Sequence, residues 1–194
     1  MDGAADGRAG YLLAGGQSSR MGRDKALLPV GNSTLAAHIA AQIREAAGNV
    51  TLIGPPEHYA HLGFPVIPDA IPGCGPLGGL LTALRSTSAD WNLIVACDMP
   101  HLTAAFLDEL FDAAEAADPD CVVAESKAAE AERGRRHPLC AVYHRRVLAA
   151  AETAIDRKLF KMHDFIASLR TEAWPVLDPT LLRNVNTPAD WEAA

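Results

Sequence analysis

The sequence lacks what large anionic partners require. Its 194 residues hold 17 Lys and Arg against 24 Asp and Glu, a formal charge of −7, and a surface of that sign repels DNA, RNA and anionic lipid. Cysteine is scarce: Cys74, Cys97, Cys121 and Cys140 lie far apart, with no C-x-x-C pair. A zinc site needs closely spaced ligands on at least one side, so free buried thiols in a reducing compartment are expected. No apolar run approaches the length of a membrane span, and residues 1–10 carry acids and glycines where a signal peptide would have an apolar core. The expectation is a cytoplasmic protein with neither a nucleic acid nor a membrane as partner. An internal repeat and a domain linker are also missing, so residues 1–194 read as one domain.

What is present is an alternation of short apolar runs with amphipathic stretches. That pattern predicts an α/β fold, three-layered, with a mostly parallel Rossmann-like sheet. Strands are expected at 11–13, 50–53, 65–67, 91–96, 121–124, 139–143 and 173–176. Helices are expected at 34–47, 77–86, 104–117 and 145–154, with a shorter one at 162–169. In the first of these Leu35, Ile39 and Ile43 recur every four residues and so share one face. Thr187-Pro188-Ala189-Asp190 combines a capping threonine with proline at the first helical position, which predicts a last helix. Residues 126–136 are polar and charged and read as an excursion between strands.

A glycine-rich turn follows the first predicted strand: Gly15-Gly16-Gln17-Ser18-Ser19-Arg20-Met21-Gly22-Arg23-Asp24-Lys25. Glycines permit positive φ and close approach of a ligand, and successive amides in such a turn can wrap a polyphosphate. Arg20 and Lys25 would supply the charge that a triphosphate and its transition state need. The order fits neither G-x-x-x-x-G-K-[ST] nor a G-x-G-x-x-G running straight into a helix. Glycines and cations alone fit a surface turn equally well.

The second constellation is Cys97-Asp98-Met99-Pro100, after the apolar run 91–96. Ligands of open α/β sheets bind at the carboxyl ends of strands, and a carboxylate there can hold Mg²⁺ beside phosphate oxygens. The alternative is that Asp98 only caps a helix. Between the third and fourth strands, 68–80 is dense in proline and glycine and includes Asp69 and Gly78. Such a loop can read a base with its own amides, and Asp69 can accept from a base or ribose; a tight connection with a solvated aspartate is the other reading.

The run from Leu13-Ala14-Gly15-Gly16 to Arg20-Met21-Gly22-Arg23-Asp24-Lys25 resembles the signature of the MobA-like nucleotidyltransferases. The resemblance implies a nucleotide-diphospho-sugar-transferase-like fold and an enzyme that moves a nucleotidyl group. By it, Leu13, Ala14 and Gly15 line the nucleotide, Gly16 to Gly22 hold its phosphates, Lys25 contacts the attacked phosphate, and Asp98 is the Mg²⁺ ligand. The Gly75-Pro76-Leu77-Gly78-Gly79-Leu80 segment resembles the guanylyl branch, which implies GTP as donor and molybdopterin, or its molybdenum-loaded form, as acceptor. Asp69 and Gly78 then belong to the nucleotide site. For the acceptor phosphate and pterin the candidates are Arg135, Arg136, Arg157, Lys158, Asn184 and Asn186, of which the resemblance points to Arg157, Lys158, Asn184 and Asn186. Arg135 and Arg136 fit a solvated loop better, Asn184 and Asn186 fit turn hydrogen bonding before a helix cap equally well, and His137 reads as structural. One departure stands out: Ile53-Gly54-Pro55-Pro56 offers no asparagine where the resemblance to the best-known guanylyl-branch member implies one, which leaves one nucleoside contact without a residue. Cytidylyl transfer to the same acceptor, a sugar-phosphate nucleotidyltransferase and a non-catalytic nucleotide-binding module are the rival readings. Transient contact with cofactor-synthesis or acceptor enzymes is a further expectation.

Overall fold

The computed structural model describes residues 7–15, 24–126 and 134–185. Nine strands and six α-helices occur among them: β1 Arg8–Leu13, β2 Pro29–Val30, β3 Ser33–Thr34, α1 Leu35–Ala47, β4 Thr51–Ile53, α2 Pro56–Tyr59, β5 Val66–Ile67, α3 Gly75–Ser86, β6 Trp91–Ala96, α4 Ala104–Ala117, β7 Cys121–Ser126, β8 Arg135–His144, α5 Leu148–Asp156, α6 Met162–Ala167 and β9 Thr171–Val176. Seven strands form one sheet in the order β5-β4-β1-β6-β8-β7-β9, and β2 and β3 make a separate hairpin. Only β8 runs against its neighbours β6 and β7.

Strict alternation along the strands divides the core in two. Leu12, Leu93, Val95, Val122, Ala124, Cys140 and Val142 point to one face and pack with α1 and α4. Tyr11, Ile94, Val123, Ala141 and Tyr143 point to the other, against α3, α5 and α6. The period of two buries both faces of the same strands, as a three-layer fold requires. The α1 stripe behaves as its spacing predicts: Leu35, Ile39 and Ile43 are all fully buried. Thr34 caps that helix by accepting from the Ala37 amide, and Gly48 ends it at φ 77°.

β8 is longer than its apolar run suggests, because its polar start also pairs with β7. There the register slips between Val123 and Ala124. Pro138, which has no N–H to give a ladder, sits in that irregularity, and its carbonyl accepts from the Tyr143 hydroxyl at 2.8 Å. The expected helix 145–154 resolves into a short 3₁₀ turn, Arg145–Val147, and α5. The helix expected after Thr187 lies outside the described residues.

Arg8 at the start of β1 ties the sheet to α4. Its guanidinium donates to Asp108, Asp112 and Glu115 at 2.6 to 2.9 Å and lies over the Phe111 ring at 4.8 Å. Among the described residues no helix is long and apolar enough to cross a membrane.

Candidate active site

The carboxyl ends of β1, β4, β5 and β6 point the same way, and antiparallel β8 begins at that edge. The segments that leave those ends carry Gly15 after β1, Asp69 after β5 and Asp98 after β6. A cavity of about 820 Å³ opens there, lined by Leu13, Gly15, Asp69 and Gly79 among others.

Asp98 follows the end of β6. Its Oδ2 accepts from Asn184 Nδ2 at 3.0 Å, and its carbonyl accepts from the Val185 amide at 2.8 Å. The Asp98 Oδ1 and Asn184 Oδ1 atoms are both buried with no hydrogen-bond partner. Unanswered buried acceptors on two hydrogen-bonded side chains are costly unless a cation or a donor meets them. Burial pushes the Asp98 carboxyl above the usual carboxylate range, while Lys25, its own backbone amide and Arg135 pull it down. The lysine after the glycine-rich turn and the aspartate after β6, 73 positions apart in sequence, therefore share one electrostatic neighbourhood. Arg135 joins them because β8 extends past the end of β6.

One buried side chain links the two ends of the glycine-rich turn. The Tyr59 hydroxyl oxygen lies 2.6 Å from the Ala14 carbonyl oxygen and 2.7 Å from Asp24 Oδ2. A phenol has one proton, so it donates to one of these oxygens at a time. Asp24 Oδ1 meanwhile accepts from the Ala26 amide and starts the 3₁₀ turn Lys25–Leu27. Burial and then Asp24 hold the Tyr59 phenol well above its ordinary pKa, so it stays a donor. Ala14 and Gly15 both donate to the Ile53 carbonyl, at 3.0 and 3.2 Å.

The need for glycine falls differently from the expectation. Gly15 is outside the left-handed region, and a Cβ there would make only ordinary contacts at 3.7 Å or more. Gly54 opposite it has no room, since a Cβ would lie 2.8 Å from the Tyr59 ring and 3.2 Å from the Gly15 nitrogen. In the loop before α3, Gly73 and Gly75 take φ of 88° and 60°, as a tight proline-rich turn demands.

Asp69 lines the cavity, but its Oδ1 shapes the loop by accepting from the Ile71 amide and the Thr82 hydroxyl. Gly78 is buried beneath that loop, where a Cβ would meet the Ile71 carbonyl oxygen at 2.9 Å; its neighbours Gly75 and Gly79 line the cavity instead. The first turn of α3 has no side-chain cap, which leaves its amides at the cavity mouth. Arg157 and Lys158 are exposed in the turn that ends α5, with Lys158 at φ 57°, while the hydrogen-bond partners of Asp98 are Asn184 and Val185. Gly16, Arg20, Gly22 and Asn186 lie outside the described residues.

Cys121 and Cys140 are buried free thiols, as expected, whereas Cys74 and Cys97 are half-buried. Burial, and after it Asp98 and Asp24, push the Cys97 thiol up and keep it protonated. His137 ties β8 to β7, its Nε2 lying 3.0 Å from the Ser126 hydroxyl. Burial, then Arg135 and His163, lower its pKa to about 4. Arg135, a candidate cation that also fits a solvated loop, lies close enough to Asp98 to lower its carboxyl, whereas the sequence gives no signal for Tyr59 or for Glu57, which lines the cavity on α2.

Residues 10–172 match the model of the MobA-like NTP transferase domain. A protein of Carboxydothermus hydrogenoformans described as a probable molybdenum cofactor guanylyltransferase is 36% identical over 188 residues, covering 93% of this chain and 91% of that protein. A protein of the same description from Flavobacterium johnsoniae is 32% identical over 160 residues, covering 82% and 80%. Among solved structures, molybdopterin-guanine dinucleotide biosynthesis protein A from Archaeoglobus fulgidus superposes with a TM-score of 0.79 over 95% of each chain at 22% identity. A CMP:2-keto-3-deoxy-manno-octonic acid synthetase complexed with CTP shares the fold at a TM-score of 0.73 and 15% identity. The chain belongs to the MobA-like NTP transferase family.

Proposed function

We propose that this protein transfers GMP from GTP to the terminal phosphate of molybdopterin, or of its molybdenum-loaded form, and releases pyrophosphate. The observation that carries the reading is the presence of partnerless buried oxygens on Asp98 and Asn184, Oδ1 of each, within the electrostatic reach of Lys25 and after β6, whose last residue, Ala96, lines a cavity large enough for a nucleotide. Hard oxygen donors of this kind suit Mg²⁺, which takes one or two carboxylates and fills its other positions with phosphate oxygens and water. Asp98 and Asn184 would hold the ion, which when bound supplies charge neutralisation for the triphosphate.

The remaining chemistry falls to the chain. A phosphate monoester is already anionic near neutral pH, so the nucleophile needs no strong general base. Lys25 neutralises charge on the attacked α-phosphate, and Arg20 does the same along the triphosphate. The glycine-rich turn holds β and γ phosphates with its amides, in a loop whose ends Tyr59 fixes. Asp69 orders the loop that closes over the nucleoside. Catalysis then rests on alignment and preorganised charge rather than proton transfer. Asn186, Arg157 and Lys158 are assigned to the acceptor, with Arg135 at the same edge as a further cation for its phosphate. Residence in the cytoplasm and brief contact with enzymes that supply or receive the cofactor complete the reading.

The test crosses GTP, CTP, ATP and UTP with molybdopterin, its molybdenum-loaded form and sugar 1-phosphates, with and without Mg²⁺, in a pyrophosphate-release assay. Release with GTP and a pterin acceptor, dependent on Mg²⁺, is the expected result. Release with CTP in place of GTP, or with sugar 1-phosphates alone, would overturn it.

A further inference from the structure

The loop after β4 holds no asparagine, yet the cavity wall on that side carries a different group suited to a base. In the sheet order β5-β4-β1-β6, the reacting end of the site, with Lys25 and Asp98, lies toward β6. A triphosphate that starts there and runs along the turn after β1 delivers its nucleoside to the loops after β4 and β5. Those loops line the cavity with Pro55, Pro56 and Glu57 on one element and Pro72 and Gly73 on the other. Proline rings and bare glycine backbone make an apolar slot of the kind that accepts a flat base.

Two carboxylates line this end, Glu57 and Asp69. Asp69 Oδ1 is engaged in its own loop by the Ile71 amide and Thr82. Glu57 is exposed on α2, and no hydrogen bond or ion pair ties its carboxylate to another described residue. Its place in the first turn of α2 favours a negative charge, but a helix of four residues has little dipole to offer, so capping is a weak reason for an acid facing the cavity.

We propose that Glu57 is the specificity-determining residue for guanine, its two oxygens accepting from the N1–H and the 2-amino group. This rests on the GTP reading given above. Guanine alone among the common bases presents two adjacent donors on that edge, and a carboxylate matches them with two acceptors. Adenine and cytosine present a ring-nitrogen acceptor beside one amino group, so the same carboxylate meets a lone pair and repels it. Selectivity then comes from attraction to one base and repulsion of the others. The Tyr59 ring, two residues on and 2% exposed, holds α2 in place, so the carboxylate is presented from an anchored element.

The experiment compares the wild-type chain with Glu57→Ala and Glu57→Gln, using GTP, ITP, ATP and CTP with Mg²⁺. Binding is followed by titration calorimetry, and KM and kcat by pyrophosphate release. ITP differs from GTP only by the missing 2-amino group. The wild type is expected to favour GTP over ITP about tenfold or more, and Glu57→Ala to bind GTP about 10- to 100-fold more weakly with that preference reduced to near one. The loss should fall on KM more than on kcat, and Glu57→Gln, which keeps one acceptor oxygen, should lie between. An unchanged melting temperature checks that the fold persists. A Glu57→Ala variant that retains the wild-type GTP-to-ITP ratio overturns the assignment while leaving the GTP reading intact. A wild type that prefers CTP or ATP to GTP overturns both.

Discussion

Asp98 is held in a state that favours function over stability. Its carboxylate is buried, its Oδ1 has no partner, and burial lifts its pKa above the usual range, so the charged form is disfavoured in the fold. Asp98→Asn replaces an acceptor by a donor at nearly constant volume. The variant is expected to unfold later than the wild type in Mg²⁺-free urea titrations, by about 1 kcal/mol or more. It should also lose transfer by at least about 100-fold. Lys25→Ala should lose transfer comparably without that gain, and near wild-type turnover in either variant would refute its assigned role. Tyr59→Phe removes the only hydroxyl that bridges Ala14 and Asp24 among the described residues. We expect it to destabilise the fold by about 1–2 kcal/mol and to raise KM for GTP, read by urea titration and pyrophosphate release. An unchanged KM would mean that the ends of the turn do not need this bridge.

At the scale of elements, close packing sets what can change. Gly10 in the middle of β1 faces α1, and a Cβ there would overlap Ile43 Cγ2 and approach the Asn49 carbonyl oxygen to 2.9 Å. Gly10→Ala is therefore expected to destabilise by about 1–3 kcal/mol, seen as a lower urea midpoint; a neutral result would mean that α1 shifts freely on the sheet. The long apolar strands and amphipathic helices were legible because each buries a regular stripe: 91–96 and 104–117 match β6 and α4 residue for residue. What was not legible has equally physical reasons. Pro55-Pro56-Glu57-His58-Tyr59 is too short to show a helical period, so α2 and its Tyr59 and Glu57 went unseen. The hairpin β2–β3 turns through Gly31 at φ 55°, with strands of two residues each and no pattern to detect. β8 looks like any buried strand in sequence, and its antiparallel direction is a property of its neighbours. Of the candidate site, Lys25 and Asp98 could be named from motif position, but not their proximity, nor the way Asn184 and Arg135 complete the cluster.

For the whole molecule, the charges predict the response to acid. His137 has a pKa of about 4 in the fold against about 6.5 when unfolded. The unfolded chain thus binds more protons between these values, and stability falls as pH drops through that window. Glu115 is held below the usual carboxylate range by its hydrogen bond from Arg8, so its contribution is present above about pH 4.3 and is lost as pH falls further. Asp98 acts in the opposite sense and softens the decline. Urea midpoints should therefore fall first between about pH 6.5 and 4 and then more steeply below, and His137→Gln should flatten the first phase alone. A midpoint independent of pH over that first window would remove His137 from the account. The same seven-stranded sheet that buries these groups sets Lys25, Asp98 and the cavity on one edge, and the functional claim rests on that juxtaposition. The most direct measurement is a crystal structure of the wild-type protein with a non-hydrolysable GTP analogue and Mg²⁺. The α-phosphate is expected beside Lys25, the ion on Asp98, and the base between the loops after β4 and β5. A nucleotide bound elsewhere, or an ion that leaves Asp98 Oδ1 without a partner, would contradict it.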